Sequence, residues 1–466
     1  MSQEKTKKGG LKNLLKGMAW SSKRISYELV NTLFVTYISF YATDIVGMPA
    51  AMIATVLLIT KLFDGVTDLI AGFIVDNTHT KWGKARPYDW AIPFIAIFTI
   101  LAFSAPKAAP LVQAIYIGFM YVMVQAVFQT LNAAADSVYL LRAFPEEKER
   151  NSVFGISTIF SQLVSLTMGV FLPVWIAAAG TSQSKFTRVV ILATVPFAVI
   201  GMIRFFTIKE VVTDEPANGA KKAAKKEKVS LKDGFRAILE NKYLLFLTLS
   251  IFLIVIASGL LNTSAAYFFV YFIGDMSKMA AMGVAAYASL VMLVLFVPLA
   301  NKFGKDKVMK FGLIVAFLGS LLRCFAGTNV LLIAIGMGAI MFGIMPISVY
   351  FPLFLFDIMD YSEWKTGKRV EGVLAVFPNF ANKVASGISV SLGAFILGAA
   401  GYDGTAAVQT QSAMNAINLT YNILPCVAVG TMTLIILFFY NIDKLMPQIK
   451  KDLQERKAVS VAQTVR

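Results

Sequence analysis

At 466 residues, 57% hydrophobic and only 15% charged, with a mean hydropathy of +0.68, the chain is too apolar for a soluble globular protein of its length. The formal charge of +16 would suit a polyanionic partner, yet the 43 Lys and Arg gather in alternate loops, a pattern of membrane topology and not of a nucleic-acid surface. Two cysteines in apolar runs make no disulfide framework, and the single histidine, His79, sits in a loop, which removes the usual metal sites and His-based catalysis.

Apolar runs of about 20 residues, the length needed to cross a bilayer, recur from residue 25 to residue 440 and count as twelve. The predicted fold is therefore all-α and integral to the membrane. Its expected parts are an N-terminal segment 1–24, a six-helix bundle 25–207, a basic linker 208–242, a second six-helix bundle 243–440 and a tail 441–466. Basic residues crowd 1–24, 81–86, 142–150, 204–242, 302–310, 365–369 and the tail, whereas only Lys107, Lys185, Arg188 and Lys278 fall in the intervening loops. By the positive-inside rule both termini are expected in the cytoplasm, with the chain crossing the cell membrane many times. The basic start has no apolar core followed by a small-residue cleavage site, so no removable signal peptide is expected.

Span 1, about residues 25–46, carries Glu28 with Asn31 and Thr32 one turn on; Tyr37, Tyr41 and Asp44 lead out to the far surface, where Gly47 and Pro49 turn the chain back. Span 2 lies in TKLFDGVTDLIAGFIVDNTHTKWGKARP, residues 60–87. There Lys61, Asp64 and Asp68, at i, i+3 and i+7, rise along one helix face while Leu62, Val66, Leu69, Ile70 and Phe73 cover the rest. A carboxylate near the bilayer centre costs roughly 2.5–3.5 kcal/mol, so two on one helix need compensation or a task. They are candidate cation ligands, for Na⁺ directly or as acceptors of H⁺. Lys61 and Asp64 would also serve as a neutralising tie between helices, but Asp68 has no second local partner. WGKARP after span 2 recurs as FGKDKV after span 8, an internal repeat six spans apart, as expected of a transporter built from two related six-helix halves.

Span 4 places Gln125, Gln129, Asn132 and Asp136 at i, i+4, i+7 and i+11, a polar stripe of amides ending in an acid. Such a stripe suits hydroxyl groups, because an amide both donates and accepts; it would equally bond other helices. Ser157, Ser161 and Ser165 on span 5 read as close helix packing. Asn262, Thr263 and Ser264 on span 7 offer a third wall of a cavity. In FDIMDYSEWKTGKRVEG, residues 356–372, Asp357, Asp360, Arg369 and Glu371 are candidates for ion pairs that close the cytoplasmic mouth in one state and break in another. Span 11 carries Asn379, Lys383 and Ser386, and an ammonium as deep as Lys383 needs a carboxylate, for which Asp64 or Asp68 is expected.

These motifs resemble the glycoside-pentoside-hexuronide:cation symporters, to which the melibiose and glucuronide permeases belong. The match runs along nearly the whole chain, through ATDIVG, FDGVTDLIAGFIVDNTHTKWGKARP, DIMDYSEWKTGKRVEG and the Gly-Tyr pair that ends in Tyr402 after Lys383. The resemblance implies a major facilitator fold of two pseudosymmetric six-helix halves and a cation site of Asp64, Asp68, Asn132 and Lys383. Substrate would be met by Glu28, Gln129, Asn132, Asp136, Asn379 and Lys383. On span 4 the permeases' Asp-x-Pro-x-Trp-Ser becomes Asn132, Ala134, Asp136 and Ser137, a departure from galactoside recognition, and the sugar-contacting arginine of span 5 is missing near Thr158. The expected function is symport of a sugar or glycoside, hexuronides and pentosides included, with Na⁺ or H⁺ by alternating access. No other cofactor, no nucleic acid and no enzyme activity are expected; the chain would be a bacterial monomer surrounded by lipid. A lipid or drug transporter on the same fold and an uncoupled sugar facilitator are the competing readings.

Overall fold

The computed structural model describes residues 2–211, 238–367, 371–406 and 408–464, with the backbone alone for 2–12, 62, 64–66, 68, 69, 349, 371–373, 375, 376 and 457–464. The described residues are helical throughout, with a single isolated bridge between Thr80 and Gly83. In chain order the helices are α1 (Ser2–Thr32, prolonged by π turns at Leu33–Tyr37 and Tyr41–Ile45), α2 (Ala50–Asp76), α3 (Ala91–Ala102) and α4 (Pro110–Ala143). Then follow α5 (Glu147–Ala179), α6 (Gln183–Thr207), α7 (Lys242–Tyr271), α8 (Met276–Phe303) and α9 (Lys305–Phe325). The last are α10 (Val330–Val349), α11 (Phe351–Thr366), α12 (Glu371–Ala399), α13 (Gln411–Lys444) and α14 (Met446–Thr464).

Among the described residues nine helices are long and apolar enough to cross a membrane, and they fall on the fourth to the twelfth expected spans. The first three spans lie on α1, whose start is polar, on α2, which is apolar over Ala50–Lys61 and then carries its acids, and on α3, which is 12 residues long. Local chemistry sets several ends. Pro110 opens α4 where its missing N–H costs nothing. Asn329 caps α10 by accepting from the N–H groups of Leu331 and Leu332 at 3.1 and 3.2 Å.

The helices form two compact units. One contains residues 1–218, 262–284 and 390–418; the other contains 219–261, 285–389 and 419–466. The units do not follow the expected halves strictly, because α7, α8, α12 and α13 each give one end to the first unit and the remainder to the second. In the first unit α1 packs on α5 and α6, and α2 on α4. Phe34, Tyr41, Phe103, Tyr121 and Phe186 interlock there as buried rings with centroids 5.1–5.7 Å apart.

In the second unit α9 and α10 cross backbone to backbone. Gly312 and Gly319 of α9 meet Gly343 and Gly336 of α10, and a Cβ at 343 would run into the carbonyl oxygen of Gly312. Small residues permit this approach, and dispersion between the closely packed backbones holds it. Gly343→Ala should therefore lower stability by about 1–3 kcal/mol. Gly155→Ala on α5, where the new methyl meets nothing within 4 Å, should raise it by about 0.5–1 kcal/mol through helix propensity. Thermal denaturation of the two variants in detergent checks the opposite signs.

Candidate functional site

The first unit is built around a buried charge network. Arg204, near the end of α6 and 2% exposed, grips Asp89 with two parallel bonds, one of 2.9 Å from Nε, and gives Asp136 a third of 2.6 Å. Asp89 is 0% exposed and lies in the 3₁₀ turn Arg86–Trp90 that leads into α3. The Lys23 ammonium of α1, buried, stands 2.7 Å from the other oxygen of Asp136. Trp20 and Tyr139 cover the guanidinium with their ring faces at 4.6 and 4.9 Å. Two cations and two carboxylates thus cancel, Lys23, Asp89 and Arg204 out of water and Asp136 at the edge with 26% exposure, and such cancellation is the condition for keeping charges buried.

Two of the expected site residues belong to this network. Both oxygens of Asp136 are taken by Arg204 and Lys23, and Asn132 donates to the Tyr88 carbonyl at 2.7 Å and to Asp89 at 3.4 Å. The other half of the stripe differs. Among the described residues the amide nitrogens of Gln125 and Gln129 are buried with no hydrogen-bond partner, and both sit in a π-helical stretch, Val122–Gln129. A π stretch shifts the phase of a helix and recurs at functional sites, so the α-helical spacing that ran the stripe straight from Gln125 to Asp136 overstates its continuity.

Lys61 of α2 places its ammonium 5.7 Å from the ring of Tyr121, one helical turn before Gln125 on α4. Lys61 is thereby turned toward the Gln125 end of α4. Asp64 and Asp68 continue its face along the α2 backbone; their side chains lie outside the described residues. Glu28 is half-buried on α1, beside the Ser165 hydroxyl of α5 and the Arg24 guanidinium. The hydroxyls of Thr263 and Ser264 on α7 are buried without partners among the described residues, while Asn262 is exposed. Asn379 and Lys383 stand exposed on α12. Among the described residues no cluster of three or more His, Cys, Asp or Glu is arranged to hold a metal ion.

At the expected gate, Asp357 of α11 pairs at 2.7 Å with Lys305, which also donates to the Leu353 carbonyl at 2.7 Å. Asp360 is half-buried on the same helix; Arg369 and the side chain of Glu371 lie outside the described residues. The end of α11 is held from beyond its own stretch. Trp364 donates to Asp452 of α14 at 2.7 Å, Arg456 donates to the Trp364 carbonyl at 3.0 Å, and Lys365 donates to the Glu240 carbonyl at 2.8 Å. The two repeated loops do different work. In FGKDKV the lysine side chain makes the pair with Asp357, whereas in WGKARP the backbone N–H groups of Lys84, Ala85 and Arg86 converge on the Glu210 carboxylate at 3.0, 2.7 and 2.7 Å, with Arg142 adding a bond of 2.6 Å.

Sequence reasoning passed over Lys23, Asp89, Arg204 and Glu210, because each lies in a stretch already explained by topology. A signal was present in IGMIRFFTI, where Arg204 interrupts an apolar run with no acid within one helical turn on either side.

The chain is 28% identical over 459 residues to an isoprimeverose transporter of Lactiplantibacillus pentosus, covering 95% of this chain and 93% of the relative. It is 29% identical to the uncharacterized symporter YjmB of Bacillus subtilis (90% and 91% covered) and 25% identical to a glucuronide carrier protein homolog of Escherichia coli (90% and 91%). Its fold matches the nucleoside transporter NupG with a TM-score of 0.60 at 13% identity (93% and 99% covered), and the inward-open xylose transporter XylE of E. coli with 0.53 at 11% (91% and 94%). Since the family's sequence model aligns with residues 20–444, nearly the whole chain, this membrane transporter belongs to the MFS/sugar transport protein family.

Proposed function

We propose that the chain takes up a sugar or glycoside together with Na⁺ or H⁺ by alternating access. In this reading the chain is a monomer in the cell membrane with both termini in the cytoplasm, its bundles 25–207 and 243–440 joined by the linker 208–242. The observation that carries the substrate class is the pair of buried amide nitrogens on Gln125 and Gln129, which have no partner among the described residues. Amides left without partners inside a protein are costly unless a ligand takes the bonds, and hydroxyls of a sugar are suited to do so. Glu28 adds a carboxylate acceptor. The relatives named for isoprimeverose and glucuronide agree in chemistry, one a glycoside of a pentose and the other a hexuronide.

Asp64 and Asp68 bind the cation. Asn132 and Asp136, as members of the charge network, hold α4 in position so that the amides of Gln125 and Gln129 face the substrate. Asp357, Asp360, Arg369 and Glu371 close the cytoplasmic mouth. Thermodynamic linkage makes the coupling reciprocal: the factor by which the cation tightens sugar binding equals the factor by which sugar tightens cation binding.

Uptake of labelled pentosides, hexosides and uronides into vesicles, with and without Na⁺ and H⁺ gradients, tests the reading; rates independent of both gradients for every sugar would overturn coupling. Gln125→Ala and Gln129→Ala should each raise the half-saturating sugar concentration about tenfold, the value of one hydrogen bond of about 1.4 kcal/mol, with the melting temperature of the empty protein unchanged. Asn132→Ala should instead lower the melting temperature.

A further inference from the structure

The inference rests on the alternating-access reading and concerns residues that reading does not use. Where α1 ends, the Asp44 carboxylate receives hydroxyl donors from three separate parts of the chain. Tyr271, the last residue of α7, donates to Oδ1 at 2.7 Å; Tyr402, just beyond α12, donates to Oδ1 at 2.7 Å and approaches Oδ2 at 2.9 Å; Thr43 gives Oδ2 a bond of 2.6 Å. Tyr267 of α7 meets the Thr43 hydroxyl at 3.0 Å, and its ring stands edge-on to Tyr402 at 5.2 Å. All these residues lie within the first compact unit.

The segment that brings in Tyr402 is shaped to lie on the turn between α1 and α2. Gly398 has room for no side chain, since a Cβ there would stand 2.8 Å from the Ala51 nitrogen, and one on Gly404 would run into the Thr43 carbonyl. Hydrogen bonds also tie residues of this segment to one another. Thr405 donates its N–H and its hydroxyl to Asp403 at 2.9 and 2.7 Å, which keeps that carboxyl below its ordinary pKa, and Gln409 closes the loop by donating to the Asp403 carbonyl at 2.6 Å.

Among the described residues the donors to Asp44 are neutral hydroxyls. This distinguishes the cluster from the Arg204 network. Pulling apart a buried ion pair strands two charges, whereas separating phenols from a half-buried carboxylate strands one, and each group can exchange its partner for water as the path opens. One cluster is built to stay shut and the other to open. We infer that Asp44, Tyr271 and Tyr402 form the outer gate, a carboxylate–phenol latch that separates whenever the path opens on the side away from the termini. One turn inward of Thr43 lies Ser39, buried at 2% exposure and with no partner for its hydroxyl among the described residues, where a sugar hydroxyl would arrive once the latch parts.

The test is side-specific labelling of a single cysteine, Ser39→Cys, in full-length protein with Cys324 and Cys426 replaced by serine. A membrane-impermeant maleimide is applied to vesicles from the outer face and, in a second set, from the inner face. Tyr271→Phe with Tyr402→Phe should raise outer labelling at least fivefold and lower inner labelling. Gly404→Ala, which leaves every latch residue in place but lifts the segment off Thr43, should do the same. Unchanged outer labelling in both variants, with melting temperatures showing that they fold, overturns the latch; if the double variant does not fold, Gly404→Ala decides alone. Because labelling needs neither sugar nor gradient, failure of the latch leaves symport standing, and failure of gradient-driven uptake leaves the labelling result standing.

Discussion

Arg204→Met should destabilise the protein by about 3–5 kcal/mol, the cost of leaving a buried charge without its partner, and most of the variant should be lost before purification. The reason lies in the geometry: Asp89 has no exposure, and two of the bonds that satisfy it come from this one guanidinium. Asp136 would keep Lys23, which stands 2.7 Å away, and so would suffer less. Pairing Arg204→Met with Asp89→Asn removes both charges and should recover more than half of the loss. Denaturation midpoints of the two single variants and the double variant form the appropriate cycle. If Arg204→Met melts with the unsubstituted protein, the network is not a foundation of the first unit.

Asp68→Asn should abolish gradient-driven accumulation while leaving exchange of sugar down its own gradient. A membrane potential of about 100 mV supplies roughly 2.3 kcal/mol for each charge carried inward, which corresponds to about fiftyfold accumulation at equilibrium. A variant that no longer binds the cation with the sugar should fall to no accumulation at all. Asp64→Asn should behave alike, and in both the shift in melting temperature caused by sugar should lose its dependence on the cation. Labelled-sugar uptake under an imposed potential checks the first statement, and thermal shifts with and without Na⁺ at two pH values check the second. Accumulation that survives in both variants would place the coupling site elsewhere.

Much of the architecture is legible in the residues because apolar spacing is a local property. The spans from α4 onward appear where hydropathy places them, and the charged face of α2 is evident as soon as Lys61, Asp64 and Asp68 are set on a helix. The site is legible only in part. The stripe on α4 is a correct reading of polar residues on one helix, yet Asp136 and the Asn132 amide nitrogen take protein partners while the amide nitrogens of Gln125 and Gln129 have none among the described residues. No rule of spacing separates these four. The π stretch alters the phase between them, and their partners come from α1, α6 and the turn before α3. Similarly, the basic loops after spans 2 and 8 look equivalent in sequence, although one receives Glu210 through its backbone and the other offers Lys305 to Asp357.

By itself the sequence determined that this is a helical membrane protein with expensive ionised groups on particular helices, because the cost of putting a charge in hydrocarbon depends on residue type and depth alone. Only the tertiary structure decided which polar groups neutralise one another and which remain available to a ligand. Hydrogen bonds and ion pairs act over about 3 Å, and the partners that come that close stand as far apart in sequence as Arg204 from Asp89, or Tyr402 from Asp44.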